Sequence, residues 1–213
     1  MTDNITRFDQ AFAQCPLVAI LRGLTPGEAP RIGDALVEAG FTLIEVPLNS
    51  PSPYDSIALL AERLQDRAMV GAGTVLDTDQ VARVADAGGS LIVSPNTDAT
   101  VIRDTAKRGM ISLPGYFTAS EAFAALAAGA HGLKLFPADG AGPATLKAHR
   151  AVLPGDTRVL AVGGIAPDNM APWKAAGADG FGIGSSLYRA GKSASDVARD
   201  AAAFVNAYRE IHQ

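Results

Sequence analysis

The chain has 213 residues, 48% of them hydrophobic and 19% charged, which is enough apolar material for one sizeable core and one domain. A formal charge of −4 argues against sequence-independent binding to nucleic acid or to an anionic membrane, both of which need a basic surface, so an anionic ligand must be met locally. A lone Cys15 excludes an intrachain disulfide. With no signal-like basic start and apolar run near Met1, and no uninterrupted apolar stretch of about eighteen residues, a cytoplasmic location is expected.

Residues 1–14 precede the first apolar run and are expected to form a short helix that lids the bottom of the fold. Eight strands follow, near Leu17 to Arg22, Leu43 to Leu48, Met69 to Thr74, Leu91 to Pro95, Ile111 to Gly115, Gly132 to Pro137, Arg158 to Gly163 and Gly180 to Gly184. Helical stretches alternate with them: Pro26 to Ala39, Ser56 to Leu64, Asp79 to Ala87, Ala99 to Arg108, Ser120 to Ala128, Pro143 to Val152, Pro167 to Ala176 and Ala194 to Tyr208. Five of these end in Ala-Gly or Arg-Gly, at Gly40, Gly88, Gly109, Gly129 and Gly177, as a left-handed helix terminus before a strand requires. Strand starts recur about every 20 to 26 residues, the length of a right-handed parallel crossover unit. The expected fold is a single-domain α/β structure, a closed (β/α)8 TIM barrel over residues 1–213. An open, doubly wound sheet is the alternative that the same alternation allows.

Chemistry-bearing residues sit where strands end. Arg22 shares a face with Val18 and Ile20, and an inward arginine suits a carboxylate or phosphate. Glu45 interrupts an apolar strand whose Ile44, Val46 and Leu48 would pack outward, so it should point into the barrel. Thr74 and Pro95 add a hydroxyl and a rigid wall at the same rim, while Ser94 and Asn96 read equally well as turn residues. Lys134 lies mid-strand between Leu133 and Leu135, on the face it shares with Phe136. Burial there disfavours the ammonium and makes the free amine accessible as a nucleophile. The second and sixth strands of an eight-stranded barrel lie opposite one another, so Glu45 and Lys134 should face each other across the lumen, as acid–base work beside an amine needs. A salt bridge without chemistry is the alternative. Gly163-Gly164 and Gly184-Ser185 close the last two strands, where barrels bind phosphate with backbone N–H groups and a helix N-terminus. His131, His149 and His212 are too scattered for a metal site, and Trp173 reads as a packing or subunit-contact residue.

The motifs Ala19-Ile20-Leu21-Arg22-Gly23, Ile44 to Pro51, Gly71-Ala72-Gly73-Thr74-Val75, Leu133-Lys134-Leu135-Phe136-Pro137 and Ala161-Val162-Gly163-Gly164-Ile165 together resemble the 2-keto-3-deoxy-6-phosphogluconate and 6-phosphogalactonate aldolases, from about Pro16 to Tyr208. The resemblance implies class I cleavage of a phosphorylated keto acid to pyruvate and glyceraldehyde 3-phosphate through a Lys134 imine. Glu45 would move protons by way of a water, and neither cofactor nor metal would be needed. It also implies that Phe136 flanks the pyruvyl unit, that Gly163, Gly164, Gly184 and Ser185 hold the phosphate, and that the chain forms a homotrimer. Two departures from the gluconate type stand out. Where the gluconate type carries an arginine after Val-Thr-Leu this chain has Pro47-Leu48-Asn49, which makes Arg22 the expected carboxylate partner and leaves open whether it also serves the phosphate, and Val162 replaces the threonine before the paired glycines. Both features are similar to the galactonate type, which makes that epimer the expected substrate and the gluconate epimer the alternative. A phosphate-binding isomerase or synthase barrel, or a non-catalytic sugar-phosphate binder, are the readings that the glycine motifs alone would support.

Overall fold

The computed structural model describes residues 3–212; residues 1, 2 and 213 of the expected span lie outside the described residues. Helix α1 (Asn4–Gln14) starts at Asp3, whose carboxylate accepts from the Thr6 N–H at 2.8 Å. Its Phe8 and Phe12, one turn apart, pack at 5.5 Å between ring centroids and enter the same apolar cluster as Val18, Leu43, Met69, Leu91 and Ile111. The Thr42 hydroxyl fixes the helix from below by donating to the Ala11 carbonyl. The helix packs its two phenylalanines on the lumen cluster at the N-terminal end of the strands.

All strand pairings are parallel, and the sheet runs β5-β4-β3-β2-β1-β9-β8-β7-β6. The strands are β1 (Leu17–Ile20), β2 (Leu43–Pro47), β3 (Met69–Gly73), β4 (Leu91–Val93), β5 (Ile111–Leu113), β6 (Gly115–Tyr116), β7 (Leu133–Leu135), β8 (Val159–Val162) and β9 (Gly180–Ile183). The two terminal members of that order are neighbours in the chain. Only Pro114 separates them, and proline has no N–H to give a ladder. What reads in sequence as one fifth strand is therefore broken in two, β5 pairing with β4 and β6 with β7. Apart from that interruption the cylinder is closed, with eight positions around it.

The helices are α2 (Ala29–Ala39), α3 (Pro53–Leu64), α4 (Thr78–Asp86), α5 (Ala99–Lys107), α6 (Ala119–Ala127), α7 (Ala138–Ala141), α8 (Pro143–Arg150), α9 (Met170–Ala175) and α10 (Ala194–Glu210). Gly40, Gly88, Gly109, Gly129 and Gly177 all carry positive φ, as the recurrent Gly signature requires. Three readings need correction. The helix expected from Pro26 starts at Ala29, because Glu28 turns back to accept from the Thr25 hydroxyl. The one expected from Pro167 begins as a 3-10 turn (Pro167–Asn169) before α9. The four-residue α7 was not foreseen.

Side-chain parity divides the core in two. Val18, Leu43, Leu160 and Val162 fill the lumen, whereas Ile44, Val46, Leu133, Leu135 and Phe181 meet the surrounding helices.

Candidate active site

Glu45 and Lys134 lie on β2 and β7, four strands apart in either direction around the cylinder, so they occupy opposite walls. Both are buried, Glu45 at 2% exposure and Lys134 at 8%. Among the described residues no ion pair joins them, which disposes of the direct salt bridge. Between them is a lumen cavity of about 10 Å³, walled by Val18, Ile20, Val93, Leu113, Leu160, Val162 and Gly182, with room for one water. The Lys134 amine stands 4.7 Å from the centre of the Phe136 ring, on the face the two residues were expected to share.

Burial dominates the electrostatics of both groups. It pushes the Glu45 carboxyl up to about 7, against the opposing pull of Lys134, Arg22 and the Gly73 backbone N–H. It lowers the Lys134 ammonium, with the Arg22 charge acting in the same direction and Glu45 opposing. An amine shifted toward its neutral form thus faces a carboxyl that titrates close to neutrality.

The raised Glu45 value has a consequence for stability. Between its ordinary 4.5 and about 7 the folded chain holds a proton that the unfolded chain has released, so stability falls as pH rises through that window. Glu45→Gln removes this dependence. Its thermal midpoint relative to wild type should climb from pH 4.5 to 7 and then level off, each kcal/mol appearing as about 2–4 °C. Thermal unfolding across that range checks it, and a constant difference would contradict it.

Glycine makes room for the carboxylate. A Cβ on Gly73 would stand 2.1 Å from Glu45 Oε2 and 2.4 Å from Oε1, so no larger residue fits without displacing the acid. Gly73→Ala should lower kcat/KM about 10²-fold through misplacement of Glu45. A rate within about twofold of wild type would show that this gap does not set the carboxylate's position.

Above the lumen opens a cleft of about 470 Å³ that shares Ile20, Val162 and Gly182 with it. Arg22, Phe136, Gly163, Gly164, Gly184 and Ser185 line this cleft, so seven of the residues singled out in the sequence, Val162 included, come together there. Thr74 and Pro95 line neither space, although Thr74 directly follows β3 and Pro95 lies two residues past β4 at the same rim. Thr74 has φ +57, a left-handed backbone that is costly for a β-branched residue at about 1–3 kcal/mol and is met most often at functional sites. The buried Ser94 hydroxyl donates to the Val75 carbonyl at 2.8 Å, tying the segment after β4 to the one after β3. The phosphate rim differs from expectation in one respect. No helix directly follows β9, where Gly184 to Tyr188 instead form a turn in which the Leu187 and Tyr188 N–H groups donate to the Gly184 carbonyl.

The histidines behave structurally: His131 Nδ1 accepts from the Ser112 N–H, and the His149 ring tilts against Tyr116 at 5.6 Å. Trp173 is buried among the outer helices. Among the described residues no group of three or more His, Cys, Asp or Glu could hold a metal ion, and no helix is long and apolar enough to cross a membrane. Sequence reasoning missed Arg189 on the cleft wall; Gly182 and Ser186 belong to the glycine motif that closes the last strand but were given no role of their own, although the register partners of Gly182, Val18 and Val162, face inward.

A parallel barrel holding a buried amine opposite a near-neutral carboxyl, under a glycine-lined cleft, defines an enzyme of carbonyl chemistry. The chain belongs to the KDPG and KHG aldolase family, whose model matches residues 8–202, and is an aldolase, a carbon–carbon lyase. It is 53% identical over 197 residues to a probable 2-dehydro-3-deoxy-6-phosphogalactonate aldolase of Rhizobium meliloti (strain 1021), covering 92% of this chain and 93% of that one. It is 52% identical over 198 residues to the 2-dehydro-3-deoxy-6-phosphogalactonate aldolase of Escherichia coli (strain K12), covering 93% and 97%. A solved structure described as native KDPGal superposes with a TM-score of 0.93 at 51% identity, covering 94% of this chain and 97% of the other.

Proposed function

We propose that the chain cleaves 2-keto-3-deoxy-6-phosphogalactonate to pyruvate and glyceraldehyde 3-phosphate through a Schiff base on Lys134. The observation that carries this is the buried amine of Lys134 facing Glu45 across a lumen with room for a single water. The neutral amine adds to the C2 ketone, and a proton delivered from the Glu45 carboxyl through the water lets the C2 oxygen leave as water, giving a protonated imine and a Glu45 carboxylate. Glu45, acting through that water, takes the C4 hydroxyl proton as the bond between C3 and C4 breaks, and the imine accepts the electron pair as an enamine. Return of a proton to C3 and hydrolysis of the imine then release pyruvate and free Lys134.

The remaining assignments follow the same axis. Arg22 meets the substrate carboxylate, Phe136 flanks the pyruvyl unit, and Thr74 and Pro95 shape the rim. Gly163, Gly164, Gly184 and Ser185 take the phosphate. Support comes from the cleft that Arg22 and the four phosphate residues share with Phe136. The galactonate epimer is favoured by the relatives' substrate and by Val162, whose apolar side chain walls both lumen and cleft where a hydroxyl would otherwise engage the sugar. A homotrimer is proposed as the assembly, consistent with the exposed Phe117 and Phe123. Cytoplasm is the proposed location, in keeping with the free, buried Cys15 thiol.

Pyruvate release from the two epimeric keto acids, assayed side by side, tests the substrate. The expected result is a kcat/KM at least about tenfold higher for the galactonate compound. Preference for the gluconate epimer would reverse the subtype, and release from neither would defeat the reading.

A further inference from the structure

The cleft above the lumen holds two arginines, Arg22 and Arg189, and no aspartate or glutamate lines it. Among the described residues neither arginine takes part in an ion pair. They differ in their distance from the reacting groups. Arg22 lies near enough to the reacting groups for its charge to act on both Glu45 and Lys134, whereas Arg189 exerts no such influence on either.

The Arg189 side chain is exposed, but it is tethered at its base and the turn that carries it is fixed. Its Nε donates to the Ser185 carbonyl at 3.0 Å, which leaves both terminal nitrogens of the guanidinium free. The turn carrying it is pinned by the Ser186 hydroxyl on the Ile165 carbonyl and by the buried Leu187 and Tyr188. Its neighbour Ala190 closes against Gly23, where an added Cβ would come within 3.2 Å. The glycine pair in the same cleft offers backbone but no positive charge. Behind it sits the Asp139 carboxylate, with Oδ1 3.2 Å from where a Gly163 Cβ would lie. A phosphate dianion bound beside that carboxylate gains from a cation lining the same cleft.

We infer that Arg189 supplies the cation of the phosphate subsite, clamping the substrate's phosphate monoester against Gly163 and Gly164 while Arg22 serves the carboxylate at the reacting end. The inference rests on the aldolase reading above and extends it, because it divides the two arginines between the two ends of the substrate.

Condensation of pyruvate with glyceraldehyde 3-phosphate and with unphosphorylated glyceraldehyde tests it, since the two acceptors differ only in the phosphate. For Arg189→Ala, kcat/KM with the phosphorylated aldehyde should fall about 10- to 100-fold, mainly through KM, while the value with glyceraldehyde changes by less than about twofold. Arg189→Lys should recover part of the loss, and Arg22→Ala should depress both acceptors alike. Equal losses on both aldehydes in Arg189→Ala, or no loss on the phosphorylated one, would overturn the assignment. A wild-type enzyme that condenses neither aldehyde would instead overturn the aldolase reading, and this assignment with it.

Discussion

Lys134→Met is expected to abolish carbon–carbon cleavage, lowering kcat by about 10⁴- to 10⁶-fold, the scale seen when a nucleophile that forms a covalent intermediate is removed. Methionine is unbranched and close to lysine in volume, so it should occupy the same slot among Leu113, Leu160 and Val162 without opening a cavity. It also relieves the burial of an ionisable group, so the variant should be at least as stable as wild type. The combination makes the result informative: a folded barrel, unchanged in circular dichroism and with no lower a thermal midpoint, should release no measurable pyruvate. Turnover within about tenfold of wild type would mean that Lys134 is only an electrostatic anchor and that the reaction proceeds without an imine.

Glu45→Gln comes second, with an expected loss of about 10²- to 10⁴-fold in kcat, the usual contribution of one positioned acid–base group. The amide keeps the shape that the Gly73 gap accommodates, so packing should survive. What disappears is a carboxyl able both to give and to take a proton near pH 7. Proton exchange at the methyl group of pyruvate should fall in parallel with cleavage, because both pass through the enamine. If cleavage fell while methyl exchange stayed at the wild-type rate, Glu45 would be confined to the C4 hydroxyl and would not protonate C3.

Most of the barrel was legible because each element carries its own physical marker. Apolar runs mark buried parallel strands, and a positive-φ glycine marks each of five helix ends. The expected strands nonetheless ran long at their C-terminal ends. Arg22, Thr74, Pro95, Gly163 and Gly184 each lie just past the last paired residue, at the barrel face where loops build sites. The Pro114 break was visible as a proline inside an apolar run, but its effect on the ladder emerges only when both neighbouring strands are in place.

The site was legible for the same reason that it is reactive. A lysine and a glutamate inside apolar strands stand out because such groups are costly to bury, and strand parity then fixed their direction. Arg189 gave no comparable signal. It sits in a turn between Tyr188 and Ala190 with no periodicity to orient it, and only the packing of that turn on Gly23 and Ile165 brings it to the cleft. Thr74 was singled out for its hydroxyl, whereas its left-handed backbone could not be read from residue types.

The central claim is that the buried amine of Lys134 forms a covalent imine with a ketone. Incubating the enzyme with pyruvate and borohydride, then mapping the modified peptide by mass spectrometry, tests it most directly. One reduced pyruvyl unit per chain, on Lys134 and absent from Lys134→Met, is the predicted result. An unmodified Lys134 in an enzyme that still turns over, or an adduct on another lysine, would contradict it.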